Sequence, residues 1–166
     1  ERNQWFSDIW ADLPGAPQPL HGDKTRSRSA AFPLGLPLRL ILMFSVMGDT
    51  VLDPFAGLGT TMIAAAMTAR NSIGVEIDQA LVGMAYERIK EAVGLGEEMA
   101  EARLHSHVEF VNDRQAGGMK VKYINTHLGV PVMTTQETDM LIPVPRAVNT
   151  VDNRTVEVEY TFLRSG

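Results

Sequence analysis

The segment from Val51 to Thr61 has the composition of a ligand-binding turn. It is V-L-D-P-F-A-G-L-G-T-T: an apolar strand ending in the carboxylate of Asp53, then two glycines and the start of a helix. Glycines at 57 and 59 allow the backbone to pass close to a ligand where a Cβ atom would clash. In parallel sheets such a ligand lies in the crevice at the carboxyl end of the strand. The segment therefore predicts a small-molecule site.

A second carboxylate, Glu76, follows Asp53 by 23 positions, at the end of a predicted second strand, Ser72 to Ile77. An acidic side chain at that place accepts hydrogen bonds from the two hydroxyls of a ribose. The pair of carboxylates indicates a ligand that contains a nucleoside.

Three classes of ligand compete for this turn, beside a purely structural glycine turn. A nicotinamide or flavin site favours G-x-G-x-x-G, but Met62 stands where the third glycine would be. A phosphate-binding P-loop needs a lysine before its serine or threonine, and this turn has none. The third class is a cofactor without phosphates, such as S-adenosylmethionine, whose amino group and sulfonium suit the carboxylate of Asp53.

The elements that must position these residues follow from hydrophobic periodicity. Asp78 is predicted to cap a helix that runs towards Gly94, and Gly117-Gly118 to stop the helix after it. A short strand over 108–111 is the alternative to part of that last helix. The predicted elements are a helix over 33–48, a strand over 50–53, a helix over 60–70, a strand over 72–77, the helix from 78 and a helix over 97–114.

The chain beyond Met119 changes to β-prone segments. Thr134 to Glu137 matches a capping box, which predicts a small helix, and Asp152-Asn153 predicts a hairpin turn. We divide the chain into an extended arm and basic loop, 1–29, an α/β core, 30–118, and a β-rich C-terminal appendage, 119–166. The predicted strands are 121–124, 130–133, 141–148 and 155–162.

Composition excludes several functions. The absence of cysteine excludes disulfides, thiolate metal sites and a cysteine nucleophile. The four histidines are scattered, so we predict no metal site. No apolar run is long enough to span a membrane, no targeting segment is visible, and a cytoplasmic protein is expected.

The net charge of −5 is the wrong sign for a self-sufficient DNA-binding domain. Lys24, Arg26 and Arg28 form a local basic cluster, for which a solvated loop is favoured over a phosphate contact. Trp5, Phe6 and Trp10 are expected to pack the arm onto the domain in preference to stacking on a base.

Three motifs resemble those of DNA amino-methyltransferases. D-P-F-A-G-L-G-T-T resembles the D-P-F-x-G-x-G-T-T motif, and V-E-I-D at 75–78 resembles the motif that follows it. Ahead of both, F-P-x-x-L-x-x-R-L-I at 32–41 is similar to the segment that closes over the methionine end of the cofactor in that family. The order of the motifs matches the circularly permuted β class, and they cover about a third of the chain. The resemblance implies an α/β, Rossmann-like fold with a mostly parallel sheet.

The resemblance also implies S-adenosylmethionine as the cofactor and assigns its binding to residues of the three motifs. These are Phe32, Pro33, Asp53, Pro54, Phe55, Ala56, Gly57, Gly59, Thr60, Thr61, Glu76 and Ile77.

The sequence departs from the family pattern at two places, and these limit which residue roles can be assigned to it. Arg28-Ser29 replaces the histidine-proline that usually opens the F-P segment. The catalytic [DSN]-P-P-[YFW] motif is absent from the sequence. In the family that motif accepts hydrogen bonds from the target amino group and stacks on the flipped base. We therefore assign no catalytic residue.

The function expected from these motifs is methyl transfer from S-adenosylmethionine to cytosine N4 or adenine N6 in DNA, as in restriction-modification. The chain would be the cofactor-binding part, because its catalytic motif is missing. Expected partners are double-stranded DNA, held largely by segments outside this chain, and an N-terminal segment, a partner chain or a second copy. The alternative is a noncatalytic cofactor-binding or assembly subunit completed by a partner chain. A nicotinamide-dependent oxidoreductase is a third, weaker hypothesis.

Overall fold

Helices and strands alternate from residue 35 to residue 88, a long helix follows, and the remaining strands lie after residue 122. The structure, a computed structural model, describes residue 6, residues 9–13 and residues 32–164. The predicted α/β class is confirmed. The helices are α1 (Gly35–Phe44), α2 (Thr60–Met67), α3 (Gln79–Arg88) and α4 (Ala92–Ala116); the strands are β1 (Thr50–Asp53), β2 (Asn71–Gly74), β3 (Tyr123–Ile124), β4 (Pro131–Val132), β5 (Pro143–Thr150) and β6 (Val156–Phe162).

The parallel unit β1–α2–β2 carries the glycine turn. Thr50 pairs with Asn71 and Asp53 with Gly74, so the two strands end side by side. Helix α2 covers one face of this pair. Its alanines, Ala64 and Ala65, are fully buried and pack with Ile41 of α1 and with Val51. Small side chains let the two helices and the strand approach closely, which fixes where β1 ends.

The opposite face of the strand pair is open in the described part of the chain. Leu52 is 63% exposed and Ile73 is 54% exposed. Parallel sheets usually have both faces covered by helices. Among the described residues, helices cover only the face that packs against α2.

The junction between α3 and α4 differs from the sequence prediction. Helix α3 ends at Arg88, a single 3₁₀ turn follows at Ile89–Glu91, and α4 runs through both Gly94 and Gly96. The predicted stop at Gly94 is therefore wrong. A Cβ atom on Gly96 would lie 2.5 Å from Pro145 Cγ, so close packing explains this glycine. Tertiary contact has overridden helix propensity here.

The far end of α4 agrees with the prediction. The helix ends at Ala116, and Gly118 adopts a φ of +87°, the left-handed conformation that favours glycine. The alternative strand over 108–111 is excluded, because those residues are helical.

The C-terminal segment forms two antiparallel pairs, β3 with β4 and β5 with β6. The predicted capping box is present, since the Glu137 carboxylate accepts a hydrogen bond from the Thr134 N–H at 2.8 Å. The predicted hairpin turn at 152–153 joins β5 and β6. The hairpin packs directly on the core, with Val156 and Val158 against the cluster that contains Ile63. The division of the chain at residue 118 stays a prediction.

The short described piece of the N-terminal arm is tied to α1. The Arg39 guanidinium is bonded to both carboxylate oxygens of Asp12, at 2.6 and 3.2 Å, and holds the pKa of Asp12 below its usual value. Its carbon lies 4.9 Å from the centre of the Trp10 ring. Trp10 therefore packs on the domain as expected, whereas Phe6 is 63% exposed and does not. The predictions for Trp5 and for the basic cluster at 24–28 fall outside the described residues. No helix in the described ranges has the length and apolarity needed to cross a membrane.

Tyr160 of β6 anchors the hairpin to α2. Its hydroxyl donates a hydrogen bond to the Ala66 carbonyl at 2.8 Å, and burial raises the pKa of Tyr160 to about 12. Because ionising this hydroxyl would remove the donor inside a half-buried contact, the folded chain favours the neutral form.

We predict that the chain loses stability between pH 10 and 12. Below about pH 10, the ordinary pKa of tyrosine, Tyr160 is neutral in both states and contributes no pH dependence. Above it, the unfolded state loses the proton first, so the free energy of unfolding falls by up to about 1 kcal/mol per pH unit. Urea unfolding across this range measures the slope. The Tyr160→Phe variant should lack this pH dependence, and its absorbance titration should lack the tyrosine that ionises near pH 12. An unchanged slope in the variant would show that Tyr160 is not its cause.

Candidate functional site

Backbone pairing continues beyond the ends of β1 and β2 and holds the glycine turn in place. The Val75 N–H donates to the Asp53 carbonyl at 2.9 Å, and the Ala56 N–H donates to the Val75 carbonyl at 2.9 Å. The turn after β1 is thereby bound to the exit of β2. Residues 53–57 and residues 75–76 form one surface at the carboxyl ends of the strands.

Glu76 bridges the two segments of this surface. Its Oε2 accepts a hydrogen bond from the Gly57 N–H at 3.0 Å, and its Oε1 accepts one from the Asp78 N–H at 2.9 Å. A carboxylate offers about four acceptor sites, so each oxygen can accept one further hydrogen bond. Glu76 lies two residues beyond the end of β2, yet it is placed beside the turn as the sequence predicts.

Asp53 is held rigidly at the end of β1. Its Oδ1 accepts a hydrogen bond from the Phe55 N–H at 3.0 Å, and its Oδ2 accepts one from the Thr61 hydroxyl at 2.6 Å. Thr60 and Thr61 are buried in the first turn of α2. Thr61 thus orients the carboxylate from behind.

The two glycines of the turn serve different needs. Both have positive φ, +52° at Gly57 and +78° at Gly59. A Cβ atom on Gly57 would meet only a carbonyl oxygen at 3.9 Å, so it would point into open space where a ligand can lie. A Cβ atom on Gly59 would lie 2.9 Å from the Cβ of Ala85. Gly59 is therefore required by the close packing of α3, and its expected contact with a ligand stays a prediction.

The other residues implied by the resemblance lie around this network. Phe55 is 86% exposed and Ile77 is 94% exposed, on either side of the paired segments. Pro54 is exposed and Ala56 half-buried. Phe32 and Pro33 are half-buried just before α1, where the Pro33 carbonyl accepts from the Leu36 N–H. The structure joins Asp53, Gly57, Thr61 and Glu76 by hydrogen bonds; the cofactor contacts of all twelve residues stay predictions.

A groove of about 1150 Å³ extends from Glu76 along the outer side of β2. Its near end is lined by Gly57 and Glu76, and its far wall includes Val151 and Arg154 of the C-terminal hairpin. Sequence reasoning missed this wall, because no motif connects the hairpin to residues so distant in the chain. A second cavity, of about 610 Å³, lies between α4 and the segment 125–143 and includes no residue of the glycine turn. Among residues 6, 9–13 and 32–164, no group of three potential metal ligands comes together.

The fold and the site define an α/β protein that presents a glycine turn and two carboxylates at the carboxyl ends of parallel strands. A family model described as DNA methylase, N6_N4_Mtase, matches residues 1–87. The chain therefore belongs to this DNA methylase family, as the resemblance of its motifs predicts.

Individual relatives agree with the family. Type II methyltransferase M.MthZI of Methanothermobacter thermautotrophicus is 44% identical over 160 residues, which are 96% of this chain and 44% of that protein. Type II methyltransferase M.MjaI of Methanocaldococcus jannaschii is 46% identical over 112 residues, 68% of this chain and 34% of that protein. The crystal structure of TTHA0409 from Thermus thermophilus, complexed with S-adenosyl-L-methionine, is 41% identical with a TM-score of 0.45, and the match covers 55% of this chain and 32% of that one. The chain thus spans less than half the length of each of these relatives.

We predict opposite effects for alanine at two glycines next to the site. Gly59→Ala should destabilise the chain by about 2–4 kcal/mol, because it combines left-handed backbone strain with a collision against Ala85. Gly83→Ala is the control: the added Cβ meets nothing within 4 Å inside α3, so about 0.5–1 kcal/mol of stabilisation is expected. Urea unfolding of both variants measures these changes. Equal effects at the two positions would contradict this account of Gly59.

Proposed function

We propose that the chain binds S-adenosylmethionine at the carboxyl ends of β1 and β2 and is the cofactor-binding part of an enzyme that methylates cytosine N4 or adenine N6 in DNA. The observation that carries the proposal is the Glu76 carboxylate, which is bonded to the Gly57 N–H and still has acceptor capacity towards the open side of the turn. Membership in the DNA methylase family supports it.

The residues of the site fit this cofactor in size and chemistry. The open space at Gly57 is a cradle that a Cβ atom would begin to fill. Two carboxylates, Asp53 and Glu76, suit a ligand with a positively charged amino group and neutral hydroxyls. The turn carries no lysine or arginine for a phosphate, and it lacks the third glycine of a nicotinamide site. Exposed Phe55 and Ile77 offer apolar contacts at the rim.

Each residue of this chain would bind or orient one part of the cofactor. Glu76 would accept hydrogen bonds from the ribose hydroxyls through the acceptor sites that its backbone contacts leave unused. Asp53, fixed by Thr61, would face the amino group of the methionine end. When bound, the cofactor supplies an electrophilic methyl group to the target nitrogen. The contribution of this chain is to hold that methyl group in a fixed position, which lowers the entropic cost of the transfer.

The residues that grip the target base are proposed to lie outside these 166 residues. The sequence contains no [DSN]-P-P-[YFW] motif, and the net charge of −5 is unfavourable for binding to DNA phosphates. Double-stranded DNA would be held largely by a further segment or a partner chain. The missing motif also supports a second candidate: a noncatalytic subunit that binds the cofactor for a catalytic partner.

We predict that Glu76→Ala weakens cofactor binding by about 1–3 kcal/mol, the range for hydrogen bonds to a charged group. Isothermal titration with S-adenosylmethionine and S-adenosylhomocysteine measures the change. Glu98→Ala, an exposed carboxylate on α4, is the matched control and should leave binding unchanged. Thermal unfolding shows whether both variants keep the fold.

Two results would contradict the proposal. An unchanged dissociation constant in a folded Glu76→Ala variant would show that this carboxylate does not hold the ribose. Tight binding of a nicotinamide dinucleotide, with no response to S-adenosylmethionine, would replace the methyl donor by another class of cofactor.

We predict that the 166-residue chain alone does not transfer methyl groups to DNA, because no residue in it matches the part that grips the base. A tritiated-methyl assay on mixed-sequence duplex DNA tests this, first with the chain alone and then with the whole protein that contains it. Transfer only by the whole protein supports the enzyme. Robust transfer by the chain alone would mean that it holds its own catalytic loop, and no transfer in either case would favour the noncatalytic subunit.

A further inference from the structure

The C-terminal hairpin faces the site across the groove that begins at Glu76. This groove is lined by the glycine turn, by Val82 and Tyr86 of α3, and by Val151 and Arg154 of the hairpin turn. The hairpin turn therefore belongs to the same cleft as the carboxylate proposed to bind the ribose, although more than 70 positions separate Arg154 from Glu76.

Two tyrosine hydroxyls hold the hairpin beside this groove. Tyr86 of α3 donates a hydrogen bond to the Asp152 carbonyl at 2.7 Å, at the tip of the hairpin. Tyr160 donates to the Ala66 carbonyl at 2.8 Å, near its base. The hairpin is thus attached to the helix on each side of the groove, and it cannot swing away without breaking one of these bonds.

The hairpin turn is also ordered internally. Asp152 Oδ1 accepts a hydrogen bond from the Arg154 N–H at 2.7 Å, and the Val151 N–H donates to the Thr155 carbonyl at 3.0 Å. These bonds fix the backbone on both sides of Arg154. No carboxylate of the described residues lies within salt-bridge distance of the Arg154 guanidinium, although its charge contributes to the lowered pKa of Asp152, whereas Arg39, Arg88 and Arg146 each form an ion pair. Arg154 therefore presents a planar cation at the groove.

The position of the hairpin decides which part of the cofactor it meets. With the ribose at Glu76 and the methionine end at Asp53 on the β1 side, the adenine must leave the ribose towards the β2 side. The groove and the hairpin lie on that side. We propose that the turn Val151–Thr155 contacts the adenine ring, with the Arg154 guanidinium stacked on its face and Val151 beside it. Guanidinium groups pack favourably on aromatic rings. This inference rests on the proposed function.

Titration of the intact chain with S-adenosylhomocysteine and with adenosine tests the contact. Arg154→Gln should raise the dissociation constants of both ligands by the same factor, about 5-fold, because the lost contact is to the adenine that they share. Arg154→Lys should lose part of this affinity, since a lysine keeps the charge but lacks the planar group that stacks. Arg146→Gln is the control: this arginine lies on the same hairpin but pairs with Glu97 at 2.9 Å, and its removal should leave both affinities within about 2-fold.

Tyr86 is a positioning residue in this account. Tyr86→Phe should weaken the binding of adenosine, because it releases the hairpin tip. The double variant Tyr86→Phe/Arg154→Gln should bind adenosine no more weakly than Arg154→Gln alone. A role confined to stability would instead move the unfolding midpoint without this coupling.

The outcomes separate the two proposals. If Glu76→Ala loses affinity while Arg154→Gln does not, the cofactor site stands and the adenine contact is overturned. If Arg154→Lys keeps its full affinity for both ligands, the guanidinium does not stack on the adenine. If the unaltered chain binds neither ligand, the proposed function fails and this inference fails with it.

Discussion

The site depends on one carboxylate that replaces backbone pairing where the two central strands separate. Beyond Val75 the ladder between the strands ends, and the glycine turn would be attached only at its base. Glu76 continues the connection by accepting the Gly57 N–H and the Asp78 N–H at once. Asp78 in turn caps α3 by accepting a hydrogen bond from the Ala80 N–H. The Glu76 side chain therefore connects the glycine turn to the start of that helix. Together with the packing of Ala85 against Gly59, these contacts join the turn to α3 at both its ends.

The features that could be predicted from the sequence are those that depend on near neighbours. The turn at 53–61, the Asp78 cap and the end of α4 at Gly117-Gly118 are each encoded within a few residues, and the structure contains all three. The family could also be predicted, because its motifs are short and contiguous.

The features that could not be predicted are decided by contacts between distant segments. Gly59 is required by Ala85 of α3, and Gly96 by Pro145 of β5, and neither contact can be read from the residues next to the glycine. The far wall of the groove depends on the bond from Tyr86 to Asp152, which joins residues 66 positions apart. No periodicity or motif in one sequence carries that information. As a result, the segment after residue 118 is predicted as an appendage, although its hairpin lines the same groove as Glu76.

The close approach of α4 to β5 has a consequence for how this family diverges. Any side chain larger than hydrogen at position 96 would collide with the ring of Pro145, which is fully buried. Position 96 cannot carry a larger side chain while Pro145 remains, so a larger residue there should be accompanied by a different residue at position 145 among homologues. A homologue that has lost the C-terminal hairpin is released from the restriction, and its helix can carry alanine or leucine at the position of Gly96. The residue at this one helical position would then mark, in an alignment, which members of the family have kept the hairpin.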